Sequence, residues 1–95
     1  MPTDFAEERY DLLERFMKEL VKATGDGSAK RAAGIKPPWY EDKSHEAAIF
    51  SHFMKWKKGE VVDPDSGAHP LVHVAWRALA IACVETGNVP RGETQ

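Results

Sequence analysis

Apolar residues recur at three- and four-residue intervals in three blocks of the chain, and glycine, proline and charge divide the blocks. In the first, from Thr3 to about Thr24, Phe5, Leu12, Leu13, Phe16, Met17, Leu20 and Val21 alternate with Glu, Lys and Arg. That spacing predicts an amphipathic helix over residues 4–24, capped by Thr3 or Asp4 and stopped by Gly25-Asp26-Gly27-Ser28. The second block, 45–58, begins after Ser44 and carries Ala47, Ala48, Ile49, Phe50, Phe53, Met54 and Trp56 over more than half a helical circumference, with Gly59 as its stop. The third, 68–86, is apolar nearly all round, and Arg77 is its one charge before Glu85. Such a helix belongs at the centre, between the other two. Residues 25–44 are rich in Gly, Lys and Pro, and Pro37-Pro38 forbids a continuous helix, so a long ordered connection is expected there.

The fold class that follows is all-α: a small bundle of three main helices with a long Gly/Pro-containing connection. One helical domain fills residues 1–95, with the amphipathic helix in 1–28, the chemistry-bearing region in 29–88 and a flexible tail in 89–95. The expected core comprises Leu13, Phe16, Leu20, Ile49, Phe53, Val72, Ala75, Leu79 and Ala82. A chain of 95 residues, 42% of them hydrophobic, has one small core. Domains of this size bury only about 60–65% of their unfolded surface. The third helix also has more apolar faces than two partners can cover. A two-fold homodimer is therefore expected, with Ala75, Ala78 and Ala82 allowing close helix approach.

Charge and cysteine content narrow the function. A net charge of -2 and a pI near 6.1 provide no basic field for nucleic acid, so none is expected as a partner. Cys83 is the single cysteine, which excludes an internal disulfide and a thiolate metal cluster. No stretch approaches the roughly 20 apolar residues that span a bilayer, and the N-terminal block lacks a secretory pattern. A soluble protein of the cytoplasm, without a membrane partner, is the expectation.

Most of the chemistry lies in one stretch, residues 59–73, where Glu60, Asp63, Asp65, His69 and His73 fall within fifteen positions. Pro64 and Gly67 break the backbone, Asp65 or Ser66 is placed to cap the next helix, and His69 and His73 share a face if both are helical. His69-Pro70-Leu71-Val72-His73 has the spacing of a zinc protease, but Pro70 occupies the position of the general-base Glu. Upstream, His52 borders the apolar face of the second helix. Lys30, Arg31 and Lys36 form a basic cluster suited to phosphate oxygens, and Trp39-Tyr40 is an aromatic pair that fills a core edge or stacks on a base.

The run His52-Phe-Met-Lys-Trp-Lys-Lys-Gly-Glu60, then Asp63-Pro-Asp-Ser-Gly67, then His69 and His73, resembles a small phage and bacterial family labelled dATP/dGTP diphosphohydrolase, N-terminal type. That family is similar to the all-α nucleotide pyrophosphohydrolases of the MazG-like kind. The resemblance spans roughly Trp39 to Thr86 and singles out His52, Glu60, Asp63, Ser66, Gly67, His69 and His73. The chain departs from the pattern at Ser51, where the family has Arg, and at Trp76, where it has Asn. A longer upstream segment of the family is compressed here into Lys36-Pro37-Pro38-Trp39.

What the resemblance implies is hydrolysis of a nucleoside triphosphate to monophosphate and pyrophosphate, assisted by Mg²⁺ or Mn²⁺. Glu60, Asp63 and Asp65 would hold the metal, with Glu60 and Asp63 also candidate bases. His52, His69 and His73 would contact phosphate or move protons. Lys36, Trp39, Tyr40 and Ser66 would meet the substrate. The other reading is a small helical accessory module that binds another protein and keeps the motif as a hydrogen-bonded corner. Phage encoding would place either one in the host cytoplasm.

Overall fold

In a computed structural model the protein is described over residues 2–90, and for residues 2–6 and 26 in its backbone only. It is all-helical: α1 spans Pro2–Ala32, α2 His45–Lys57 and α3 Pro70–Glu85, with no strand among the described residues. Helix α1 already begins at Pro2, so Thr3 and Asp4 lie within it and neither is its cap, while most of the expected tail lies outside what is described. No helix is long and apolar enough to cross a membrane. As expected, α3 is central: α1 and α2 each pack on it and not on each other. The gap they leave over α3 is where the polar chemistry collects.

The first helix does not stop at Gly25-Asp26-Gly27 but continues for two more turns. A helical glycine costs only about 1 kcal/mol against alanine, and the following Ser28-Ala-Lys-Arg-Ala32 segment recovers helix. The true stop is Gly34, whose φ of 77° is the left-handed conformation that ends helices. Ile35 N–H then bonds Lys30 C=O at 2.9 Å, and Gly34 N–H bonds Arg31 C=O at 3.1 Å, which is the Schellman pattern.

Helix α3 starts two residues later than its apolar run suggests. His69 is extended (φ -64°, ψ 141°) and Pro70 follows at the first helical position, where its missing N–H costs nothing. The cap is His69 itself, through Nδ1 accepting from Leu71 N–H at 3.0 Å, and not Asp65 or Ser66. Helix α2 has Ser44 at its N-cap, but the Ser44 hydroxyl makes no cap bond and donates instead to Asp42 Oδ1 at 2.6 Å, which also accepts from Ser44 N–H at 2.8 Å.

The expected core is the largest departure. Leu13, Phe53, Leu79 and Ala82 are exposed, whereas Phe16, Leu20, Ile49, Val72 and Ala75 are half-buried. Fully buried apolar positions are small ones: Ala23, Ala68, Pro70 and Ala80. The reason is geometric. Helices α1 and α2 flank α3 without closing on each other, so their outer apolar stripes have no facing element within the chain. The groups buried at the centre are polar: His45, Asp63, His73 and Arg77.

Candidate functional site

Two hydrogen-bonded clusters occupy the gap. The first is built on the loop between α2 and α3. Gly67, at φ 77°, returns the chain so that its N–H bonds Asp63 C=O at 2.8 Å, while Asp63 N–H bonds Ala68 C=O at 2.7 Å. Inside this turn Asp63 Oδ2 accepts from Ser66 N–H (3.0 Å) and from the Ser66 hydroxyl (2.9 Å). The Ser66 hydroxyl lies 2.7 Å from His73 Nε2 and accepts from Ala68 N–H at 3.2 Å. His73 Nε2 is itself 3.5 Å from Asp63 Oδ2. With the hydroxyl proton directed to Asp63, Nε2–H is the donor to Ser66 Oγ. On the far side of His73 the His52 ring stacks at 4.3 Å, 10° from parallel.

The second cluster is one the sequence reading did not assemble. Asp42 Oδ1 accepts from Ser44 N–H at 2.8 Å and from its hydroxyl, while Oδ2 meets Arg31 Nη2 at 3.3 Å and Arg77 Nη1 at 3.4 Å. Arg77 Nη1 also reaches His45 Nδ1 at 3.0 Å, and His45 Nε2 donates to Trp39 C=O at 2.7 Å. Arg31 donates to Pro37 C=O. These bonds fold the Pro-rich connection back onto the end of α1. Both guanidiniums lie over Trp76, 5.6 and 5.5 Å from its ring centroid. Burial opposes charge on Asp42, but the two Ser44 bonds, with His45 and Arg77, outweigh it and hold the carboxyl far below its usual range. A lone arginine in an otherwise apolar helix was the available signal, because a buried cation needs a partner. Asp42-Lys-Ser44, with its side chain bonded two residues ahead, was the other.

Between the clusters lies a partly open polar cleft of about 190 Å³. Helix α1 contributes Ala23, Gly27, Lys30 and Arg31, the connection Lys36, and α2 His52 and Lys55. The loop adds Asp63 and Asp65, and α3 adds His73, Trp76 and Arg77. Five cationic side chains thus face two carboxylates. Lys36 feels the excess: burial first, then Arg77 and Lys30, lowers its pKa. Gly27 bears no side chain, and a Cβ there would meet only Arg31 Nε, at 4.0 Å.

The expected residues divide around this cleft. Lys36, His52, Asp63, Asp65 and His73 line it. Ser66 stands behind it, its hydroxyl engaged by Asp63, His73 and Ala68. His69 is engaged in the α3 cap and does not share a helical face with His73. Glu60 is half-buried with Oε2 unbonded, and it does not line the cleft. Among the described residues no three His, Cys, Asp or Glu side chains gather as a resident cation would require. Glu60, Asp63 and Asp65 therefore do not converge as one ligand set. Trp39 and Tyr40 meet edge to face at 5.4 Å but border other concavities. Tyr40 borders one of about 360 Å³, whose lining sets Glu41, Glu46 and Glu85 against Lys43. Arg77, Lys55 and Trp76 are the cleft residues that sequence reasoning missed.

His52 offers a pH test of this geometry. Burial, then the charges of His73 and Lys55, lowers its pKa to about 4 from 6.5. Between those values the unfolded chain binds a proton that the folded chain excludes, so stability rises with pH across that window. Asp42 and Asp63, both lowered, contribute stability that is lost only as pH falls below the ordinary carboxylate range, roughly 4. Thermal melting should therefore weaken progressively from about pH 6.5 to 4. In His52→Gln that limb should flatten and only the steeper fall at lower pH remain.

No curated protein and no solved structure matches the chain. A family model described as dATP/dGTP diphosphohydrolase, N-terminal, matches residues 4–89, nearly all of the described structure. That span takes in α2, α3, all but the first two residues of α1, both polar clusters and every residue of the cleft, so the chain belongs to the dATP/dGTP diphosphohydrolase N-terminal family.

Proposed function

We propose that the chain binds a nucleoside triphosphate with its phosphates in the cationic cleft and hydrolyses it to monophosphate and pyrophosphate. The observation that carries this reading is the convergence of Lys30, Arg31, Lys36, Lys55 and Arg77 on one polar cleft beside His52, His73 and two carboxylates. Preorganised cations suit a polyphosphate and the charge that shifts along it as a P–O bond breaks. In the proposed step a water oxygen bonds an inner phosphorus, pyrophosphate departs, and a cleft residue takes the water's proton. His52 suits that role: it is neutral at pH 7, and nearby phosphate oxygens raise its proton affinity. His73 is oriented by Asp63 through Ser66 and supports the His52 ring by stacking.

Two carboxylates and no cage fit a divalent ion that arrives on the phosphates better than one held by protein alone. Asp65, with Asp63 beside it, would meet such an Mg²⁺ or Mn²⁺, which when bound neutralises phosphate charge. The accessory-module reading is not favoured by a cleft lined with five cationic side chains.

Purified protein incubated with dATP or dGTP and Mg²⁺ or Mn²⁺ should release pyrophosphate. Lys36→Met should weaken nucleotide binding by about ten- to a hundredfold, the worth of one charge-assisted hydrogen bond. A protein that neither binds nor turns over any deoxynucleoside triphosphate would refute the reading.

We also propose that the working form is a homodimer joined through α1. Tyr10, Leu13, Met17 and Val21 form an exposed stripe on that helix, and Phe50 and Met54 are exposed on α2. The accessible surface, 6993 Å², is roughly a quarter above the 5,500 Å² or so typical for this mass. A standard interface takes about 800 Å² from each partner. Light scattering should report a dimer at micromolar concentration and a monomer for Met17→Lys. Monomer alone for the unaltered chain would exclude it.

A further inference from the structure

Beside the cationic cleft, in the same groove between α1 and α3, lies an apolar cleft of about 300 Å³. It is walled by Trp39, Trp76, Leu79 and Cys83, with the hydroxyls of Thr24 and Ser28 on its α1 side. Trp76 belongs to both clefts. The two are neighbours by helical geometry. On α1 the apolar cleft uses positions 24 and 28, each one residue from positions 23 and 27 of the polar cleft. On α3 its lining positions are shifted about one turn, roughly 5 Å, toward the C-terminus from those of the polar cleft. One molecule with a charged end and a flat apolar end, joined by a short polar linker, fits both at once.

Resting on the phosphate reading above, we infer that the apolar cleft is the subsite for the nucleobase of the bound nucleotide. A pentose bridges a base to its phosphates, and the two clefts are separated by a single indole. Trp76 is held in place by the guanidiniums of Arg31 and Arg77, so the dividing wall is fixed before ligand arrives. The other aromatic side chain of the cleft is Trp39, whose carbonyl is tied to His45 and whose ring meets Tyr40 edge to face. No carboxylate, amide or cationic side chain lines the cleft. The base is therefore held mainly by its ring faces and its area, with only the Thr24 and Ser28 hydroxyls available to its hydrogen-bonding edge. Tyr40, in a separate concavity, takes no part.

The chain contains its own reporter. Cys83 is the single cysteine and is half-buried in this cleft, so alkylation by N-ethylmaleimide reads the occupancy of the subsite. The α,β-methylene analogue of dATP should slow modification by at least about tenfold, because a seated base excludes the reagent. Saturating tripolyphosphate, with binding verified by calorimetry, should leave the rate within about twofold, since it occupies only the neighbouring cleft. Ser28→Phe, at an exposed position on the rim, should lower affinity for the analogue about tenfold or more and leave tripolyphosphate affinity unchanged. Equal protection by tripolyphosphate and the analogue overturns the base subsite but leaves the phosphate cleft standing. So does tight binding of the analogue with no protection of Cys83. Failure of tripolyphosphate and analogue alike to bind overturns both.

Discussion

The carboxylate of Asp42 is where the fold is tied together. Its two oxygens reach Arg31 at the end of α1, Ser44 at the start of α2 and Arg77 in the middle of α3. Asp42 itself sits in the connection that these bonds pin. A buried carboxylate is costly alone, and two guanidiniums beside it would be costly without it. One negative charge therefore serves two positive ones, and the local balance stays positive. The adjoining cleft is lined by both guanidiniums together with Lys30, Lys36 and Lys55. The same contacts that tie the chain together thus shape the lining of the cleft on which the proposed phosphate site rests.

A polar centre has a structural consequence. Because ions and hydrogen bonds hold α3 to its neighbours, α1 and α2 need not close over a large apolar core, and a gap is left between them. The cost is exposed apolar surface along α1 and the outside of α2. That surface is what the proposed homodimer would cover. Within the gap, the loop before α3 acts as a bracket: Asp63 and Ser66 hold His73, and His73 stacks on His52. In the proposed reaction Ser66 and His73 act through the His52 ring, and both are engaged in internal hydrogen bonds of the bracket.

Much of this was legible in the residues. Three-and-four spacing gave three helices, the apolar surround of residues 71–84 gave a central α3, and the density of His and Asp marked the bracket. Other parts were hidden for identifiable reasons. Gly25 and Gly27 look like a stop, yet a glycine only weakens a helix, and the decisive left-handed turn waits for Gly34. His69 and His73 have a helical spacing, but Pro70 starts the helix between them. Core prediction failed because periodicity shows which face is apolar, not whether another element covers it. Leu13 and Leu79 are on the right faces and still exposed. The Asp42 clamp joins residues 11 and 35 positions apart, which no local pattern records. The lone charge of Arg77 in an apolar helix was the clue to it.

The claim that this clamp organises the molecule is best tested by a double-mutant cycle on Asp42→Asn and Arg77→Met, read by urea unfolding at neutral pH. If the two act as one buried unit, each single variant is strongly destabilised, and the double variant loses far less than their sum. The coupling should be about 2 kcal/mol or more. Effects that add within about 0.5 kcal/mol would mean that the two side chains are neighbours without being partners, and would contradict the account.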